Sequence, residues 1–208
     1  MHMQSCTISG IEYQEKNMTM DVNTLVQQQV PTKDETTLPP DGGREWTTQE
    51  QALLEQWNQS GAERVDMPLS ARNWLDPQRV QRIWCFFPKE QKFRGFVHYT
   101  ETTEGPPNIV HGGCIASALD VAMARCAMGV CNSYKLVTAS LEVAYKLPVP
   151  MPSTVVVEAE CTSRDDARHR LTISCKVVDL ETQRVVYNTG SAVFVDLERR
   201  AAAVGPSK

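Results

Sequence analysis

From residue 80 onward, apolar and polar positions alternate in a way that the first 45 residues never do. Val80–Phe87 reads as a strand ended by Pro88. Lys92–Thr100 alternates bulky apolar with polar side chains, and the gap Lys89-Glu90-Gln91 is short enough for a hairpin. Four more strands are predicted at Leu136–Leu147, Thr154–Thr162, Arg170–Leu180 and Arg184–Leu197. In the first of these, Val137, Ala139, Leu141, Val143 and Tyr145 alternate with Thr138, Ser140, Glu142 and Lys146. The connections are short, which predicts antiparallel pairing.

Between the two groups of strands the period changes. Ile115, Ala118, Leu119, Ala122, Met123, Cys126, Ala127 and Val130 recur at helical spacing. The other faces hold Ala116, Ser117, Ala124 and Gly129, small rather than charged, so the helix is expected to be enclosed on most sides. Upstream, a helix is predicted from Thr47 or Thr48, with Gln51 three residues after Thr48 as a capping box requires. Leu53, Leu54 and Trp57 share one face of it, and Gly61 ends it. A shorter helical piece runs from Ser70 through Trp74 to Asp76-Pro77. The expected fold class is α+β: a curved antiparallel sheet wrapped around one long central helix, with an N-terminal helical extension. The expected segments are a flexible leader at 1–45, the helical extension at 46–78, the main domain at 79–198 and a frayed tail at 199–208.

Composition narrows the functions. The 208 residues are 41% hydrophobic with a net charge of −4. That supports a buried core and lacks the basic excess of a nucleic-acid binder. No uninterrupted apolar run reaches the length of a membrane span. The first forty residues lack a signal-peptide apolar stretch. They contain Glu12, Glu15, Asp21, Asp34 and Glu35 but no Arg before Arg44, unlike a transit peptide. A cytoplasmic address is expected. The seven Cys, an odd number without CxxC spacing, read as reduced and mostly buried. No metal or redox cofactor is implied.

One residue is out of place. Asp120 lies mid-helix between Leu119 and Val121, where a carboxylate is costly unless paired or used. It either bonds a neighbouring strand or serves as a general base or nucleophile. At the start of the same helix, Gly112 and Gly113 present backbone amides that lack intrahelical partners, a place for a carbonyl oxygen that becomes anionic. A plain glycine turn into a helix fits the pair equally well. His111, before them, is read as a positioning group. Thr138 either faces solvent or orients Asp120 or a water. The run Arg164-Asp165-Asp166-Ala167-Arg168-His169-Arg170 is a polar turn whose arginines, like Lys146, suit phosphates.

These residues resemble a known family. Gly105-Pro106-Pro107-Asn108-Ile109-Val110-His111-Gly112-Gly113, with Asp120 seven residues past the last Gly, looks like the His-Gly-Gly…Asp signature of hotdog-fold thioesterases. The resemblance is greatest to the mitochondrial-type acyl-CoA thioesterase branch. It continues through Val137-Thr138-Ala139 and Val143–Pro150, extends more weakly to Ser174-Cys175, and covers roughly 80–197. It implies that Asp120 is the catalytic carboxylate, that Gly113 and its neighbours polarise the carbonyl, and that Thr138 assists. It implies a homodimer or dimer of dimers, with His111 and the glycines of one subunit facing Asp120 of the other. Ala144 and Lys146 fall on the strand that lines the CoA site in relatives, with Ala144 in place of a polar residue. The expected activity is hydrolysis of an acyl-CoA or carrier-bound acyl thioester. A non-catalytic acyl-CoA-binding protein and, less favoured, a hotdog dehydratase or hydratase are the alternatives.

Overall fold

The computed structural model describes residues 44–65 and 79–204. All but the last two residues of the expected leader, and the short helical piece at 70–77, lie outside the described residues. The elements in chain order are α1 (Thr48–Gln59), β1 (Glu63–Arg64), β2 (Val80–Phe87), β3 (Lys92–Tyr99), α2 (Gly112–Cys131), β4 (Leu136–Tyr145), β5 (Ser153–Asp165), β6 (Arg170–Asp179), β7 (Val186–Asp196) and α3 (Leu197–Val204). The strands form one antiparallel sheet in the order β1-β2-β3-β5-β6-β7-β4, with α2 packed on one face. This is the hotdog arrangement.

The antiparallel expectation holds, but short connections do not make neighbours. The link at 146–152 takes the chain from β4, at one edge, across β7 and β6 to β5. Among the described residues, β4 thereby has a single partner, β7.

The sheet is apolar on both faces where β2, β3 and β5 meet. Trp84, Phe86, Phe93 and Val97 turn toward α2. Ile83, Cys85, Phe87 and Phe96 turn the other way, where α1 covers them with Leu54 and Trp57. Trp57 stacks on Phe96 at 4.7 Å between ring centroids and meets Phe87 edge-on at 6.1 Å. That double coverage explains why β2 reads as a continuous apolar run rather than an alternation. Gly95 is required here, because a Cβ on it would fall inside the ring of Trp84.

The capping box of α1 lies one residue earlier than expected. Thr47 is the N-cap, its hydroxyl accepts from the Glu50 amide at 3.3 Å, and the Glu50 carboxylate accepts from the Thr47 amide at 2.7 Å. Glu50 decides the register because it is buried and ion-paired with Arg44, which also bonds Thr154 on β5.

Two expectations are corrected. The tail from Arg199 does not fray at once: α3 runs to Val204, because buried Asp196 accepts from the amides of Glu198 and Arg199 at 3.0 and 3.1 Å and so caps it. The central helix is not enclosed on most sides. Ala118, Leu119, Ala122, Met123, Cys126 and Ala127 are fully buried, while Ser117, Asp120, Val121, Ala124 and Met128 are only half-buried. Small residues thus mark a face that the described residues leave partly uncovered. By length and composition α2 is also apolar enough to cross a membrane, with a mean hydropathy of 1.5, which a search for uninterrupted apolar runs misses. Its buried stripe packs against the sheet instead.

Candidate active site

Helix α2 begins at a built corner. His111 is its N-cap with extended backbone, and its amide donates to the carbonyl of Thr103 at 2.8 Å. The His111 Nδ1 accepts from the Gly113 amide at 3.0 Å, so in the neutral ring the proton sits on Nε2. The expectation that both glycine amides stand open is therefore corrected. Gly113 is held by His111, whereas Gly112, the first helical residue, has no carbonyl one turn back to receive its amide. His111 and Gly113 are thereby tied to each other at the helix start.

Tyr145 completes the corner and was not singled out from the sequence. Its hydroxyl donates to the carbonyl of Gly112 at 2.8 Å. A Cβ on Gly112 would meet the Tyr145 ring at 3.4 Å, an ordinary van der Waals contact, so the tyrosine lies directly over the helix start. The alternation of β4 marked Tyr145 only as one of its larger side chains.

Asp120 and Thr138 are brought together. The Thr138 hydroxyl donates to Asp120 Oδ1 at 2.9 Å. A register shift between Thr138 and Ser140 places a β-bulge at this point, a device that re-aims a side chain. Asp120 is half-buried and Thr138 exposed, so the carboxylate is not sealed in the core as its apolar neighbours suggested. It lies on the open face of α2, beside the open edge of β4.

A cleft of about 310 Å³ opens beside the start of α2, lined by Gly112, Ile115, Tyr145, Lys146 and Asn188 among others. Lys146, on the exposed link after β4, is one of the lining residues. Ala144 is exposed one strand position away, opposite Thr189, and does not line the cleft. Arg168 is exposed and pairs with Asp165 at 3.8 Å. Arg170 borders a small crevice with Cys131, at the far end of α2 and about 30 Å from Gly112 by helical rise. A single chain therefore does not bring the two arginines and Lys146 to one phosphate. Burial pushes the Cys114 thiol up, which disfavours its thiolate, and the thiols of Cys126 and Cys175 are pushed up to about 12 for the same reason. The described cysteines are all free, and no group of metal-ligating side chains occurs among the described residues.

Residues 107–186, which include the helix start, Asp120, Thr138 and all of the cleft's lining residues except Pro106 and Asn188, match the family model of the thioesterase superfamily. The chain is similar to acyl-coenzyme A thioesterase THEM4 of Mus musculus, at 32% identity over 54% of this chain and 47% of the relative. It is similar to THEM4 of Xenopus laevis at 31% identity over 62% and 56%. It is similar to acyl-coenzyme A thioesterase THEM5 of Homo sapiens at 28% identity over 60% and 48%. The chain spans about half the length of the curated relatives it matches. Among solved structures, an acyl-CoA hydrolase from Staphylococcus aureus overlaps with a TM-score of 0.48 at 16% identity, over 52% of this chain and 65% of that one.

Proposed function

We propose that the chain hydrolyses acyl-CoA thioesters at a site completed by a second copy of itself. The carrying observation is the Thr138-held Asp120 on a half-open helix face, eight residues from the Gly112 amide. Eight residues of α-helix place the two groups about 12 Å apart along the axis. Attack on a thioester requires the carboxylate's water and the carbonyl's amide donor to meet around one carbon, so they serve best when each comes from a different chain. The open edge of β4, with Val137, Leu141, Tyr145 and Leu147 exposed, offers the apolar surface such a pairing buries.

The steps then follow. The thioester carbonyl oxygen accepts from the Gly112 amide of one copy, where the helix dipole also favours negative charge. Asp120 of the other copy, oriented by Thr138, takes a proton from water as its oxygen bonds the carbonyl carbon. The tetrahedral intermediate collapses, the C–S bond breaks, and the sulfur leaves with its electron pair. The proton on Asp120 passes to the thiolate, giving free acid and thiol. Lys146 stands beside the cleft for the phosphates of the carrier. The relatives named as acyl-coenzyme A thioesterases support this reading.

The test is thiol release from a panel of acyl-CoAs by the wild type and Asp120→Asn, alongside the same acyl groups on a carrier protein. Turnover of the CoA esters, lost in the variant, is expected. Tight binding without turnover in the wild type overturns it, and turnover of carrier-bound esters alone moves the substrate from CoA to the carrier.

A further inference from the structure

Strand β7 points Asn188, Gly190, Ala192 and Phe194 toward α2 in strict alternation, so Asn188 occupies an inward position of the core. The backbone fixes it there. Tyr145 is its partner on β4 and Val177 on β6, and the register shift of β6 against β7 falls one residue before it. The side chain is fully buried, at 0% exposure, yet neither Oδ1 nor Nδ2 has a partner among the described residues. A buried amide left unbonded is costly and rare in a native interior. Asn188 also lines the 310 Å³ cleft, whose lining is mostly apolar, with Ile109, Val110, Ile115 and Val149, beside Tyr145 and Lys146. An uncharged donor and acceptor thus sit together at the base of an apolar cleft that opens beside the Gly112 amide.

We propose that Asn188 is a specificity-determining residue whose carboxamide hydrogen-bonds a hydroxyl or amide group of the bound thioester. The inference rests on the thioester reading of the cleft. A ligand that brings such a group satisfies both orphan atoms, and a plain hydrocarbon leaves them unpaired. A site built this way rejects the analogue that lacks the polar group. Its neutrality suits an uncharged ligand group, whose burial needs no opposite charge beside it. Two parts of an acyl-CoA carry the required chemistry: the amides of the pantetheine arm and a hydroxyl on the acyl chain.

Binding rather than turnover is the readout, so that failure of the hydrolytic reading does not hide the result. Dissociation constants for octanoyl-CoA, 3-hydroxyoctanoyl-CoA and free pantetheine are measured by calorimetry on full-length Asp120→Asn, with and without Asn188→Leu. If the acyl chain supplies the group, Asn188→Leu removes a preference of about tenfold for the hydroxylated ester and leaves pantetheine unchanged. If pantetheine supplies it, all three ligands weaken by about tenfold together. Unchanged constants for all three overturn the proposal, as does absence of binding by any of them in the Asp120→Asn parent. Asn188→Ala is run in parallel in case leucine is too large. Thermal melts of both variants separate loss of binding from loss of fold: removing an unpaired buried amide is expected not to lower the melting temperature.

Discussion

Thr138 on β4 donates its hydroxyl hydrogen to Oδ1 of Asp120 on α2 across 2.9 Å. The bond fixes one carboxylate oxygen and its orientation on the open face of the helix. If Asp120 is the base, Asp120→Asn lowers kcat by about 10²–10⁴-fold, the range for losing a positioned general base. Thr138→Val keeps shape and removes the bond, and is expected to lower kcat by about tenfold with a smaller change in KM. A Thr138→Val enzyme with wild-type kcat would reduce the hydroxyl to a link between strand and helix.

The division of the site between two copies is testable by complementation. Gly112 is the first residue of α2, a position that accepts proline, and the extended backbone of His111 before it is compatible with one. Gly112→Pro therefore deletes the amide donor while keeping the helix start. Gly112→Pro and Asp120→Asn are each expected to be inactive. Mixed after co-expression, they should regain activity, because a mixed dimer holds one site with both groups intact. No recovery, with mixed dimers shown by light scattering and native mass spectrometry, places both groups in one chain.

Lys146 beside the cleft is expected to act on the carrier phosphates. Lys146→Ala should raise KM for acyl-CoA several-fold, with the gap narrowing as salt is added. The same substitution should not change KM for the matching acyl-pantetheine, which has no nucleotide phosphates. An equal rise for both substrates would show that Lys146 supports the cleft wall instead.

The α1 helix is held by Trp57, stacked on Phe96 and edge-on to Phe87. Trp57→Ala is expected to cost about 3–5 kcal/mol, the usual range for emptying a buried aromatic site. Equilibrium urea unfolding measures it. Activity per folded molecule should persist, since α1 lies on the sheet face opposite α2. A loss below about 1 kcal/mol would show that α1 adds little to the domain.

Acid should loosen the same region. His98 is pushed down to about 4, by burial first and by the nearby Arg44 charge second, with Glu50 opposing. Its Nδ1 lies 3.0 Å from the Thr154 hydroxyl. Unfolded, it takes a proton near pH 6.5, so between there and about 4 the unfolded state binds more protons. Stability is then full above pH 6.5 and falls through that window, by at most about 3 kcal/mol at 1.36 kcal/mol per unit. Burial raises the Glu50 carboxyl, but bonds from Arg44, Thr154 and Thr47 outweigh it and hold it below the ordinary value, so its protonation adds to the loss at lower pH. Urea melts at pH 7, 5.5 and 4.5 should show this slope in the wild type and a flatter one in His98→Gln. Equal slopes would remove His98 as the cause.

Periodicity alone marked every strand from β2 to β7 and the central helix, because a two-residue and a 3.6-residue period bury different positions of the chain. It marked Asp120, Gly112, Gly113 and His111 too, since a carboxylate among Leu119 and Val121 and a glycine pair before an apolar helix are local anomalies. Strand neighbours were not local. Only the three-dimensional sheet sets β4 beside β7 and leaves its outer edge open. The degree of cover on Asp120 was likewise a property of what packs on α2, and small side chains that looked enclosed form a face that the described residues only half cover. Tyr145 reaches Gly112 across 33 positions of sequence, and Asn188 joins the cleft from the last strand. Neither contact leaves a trace in spacing, because hydrogen bonds between distant segments depend on register and fold rather than on the order of residues.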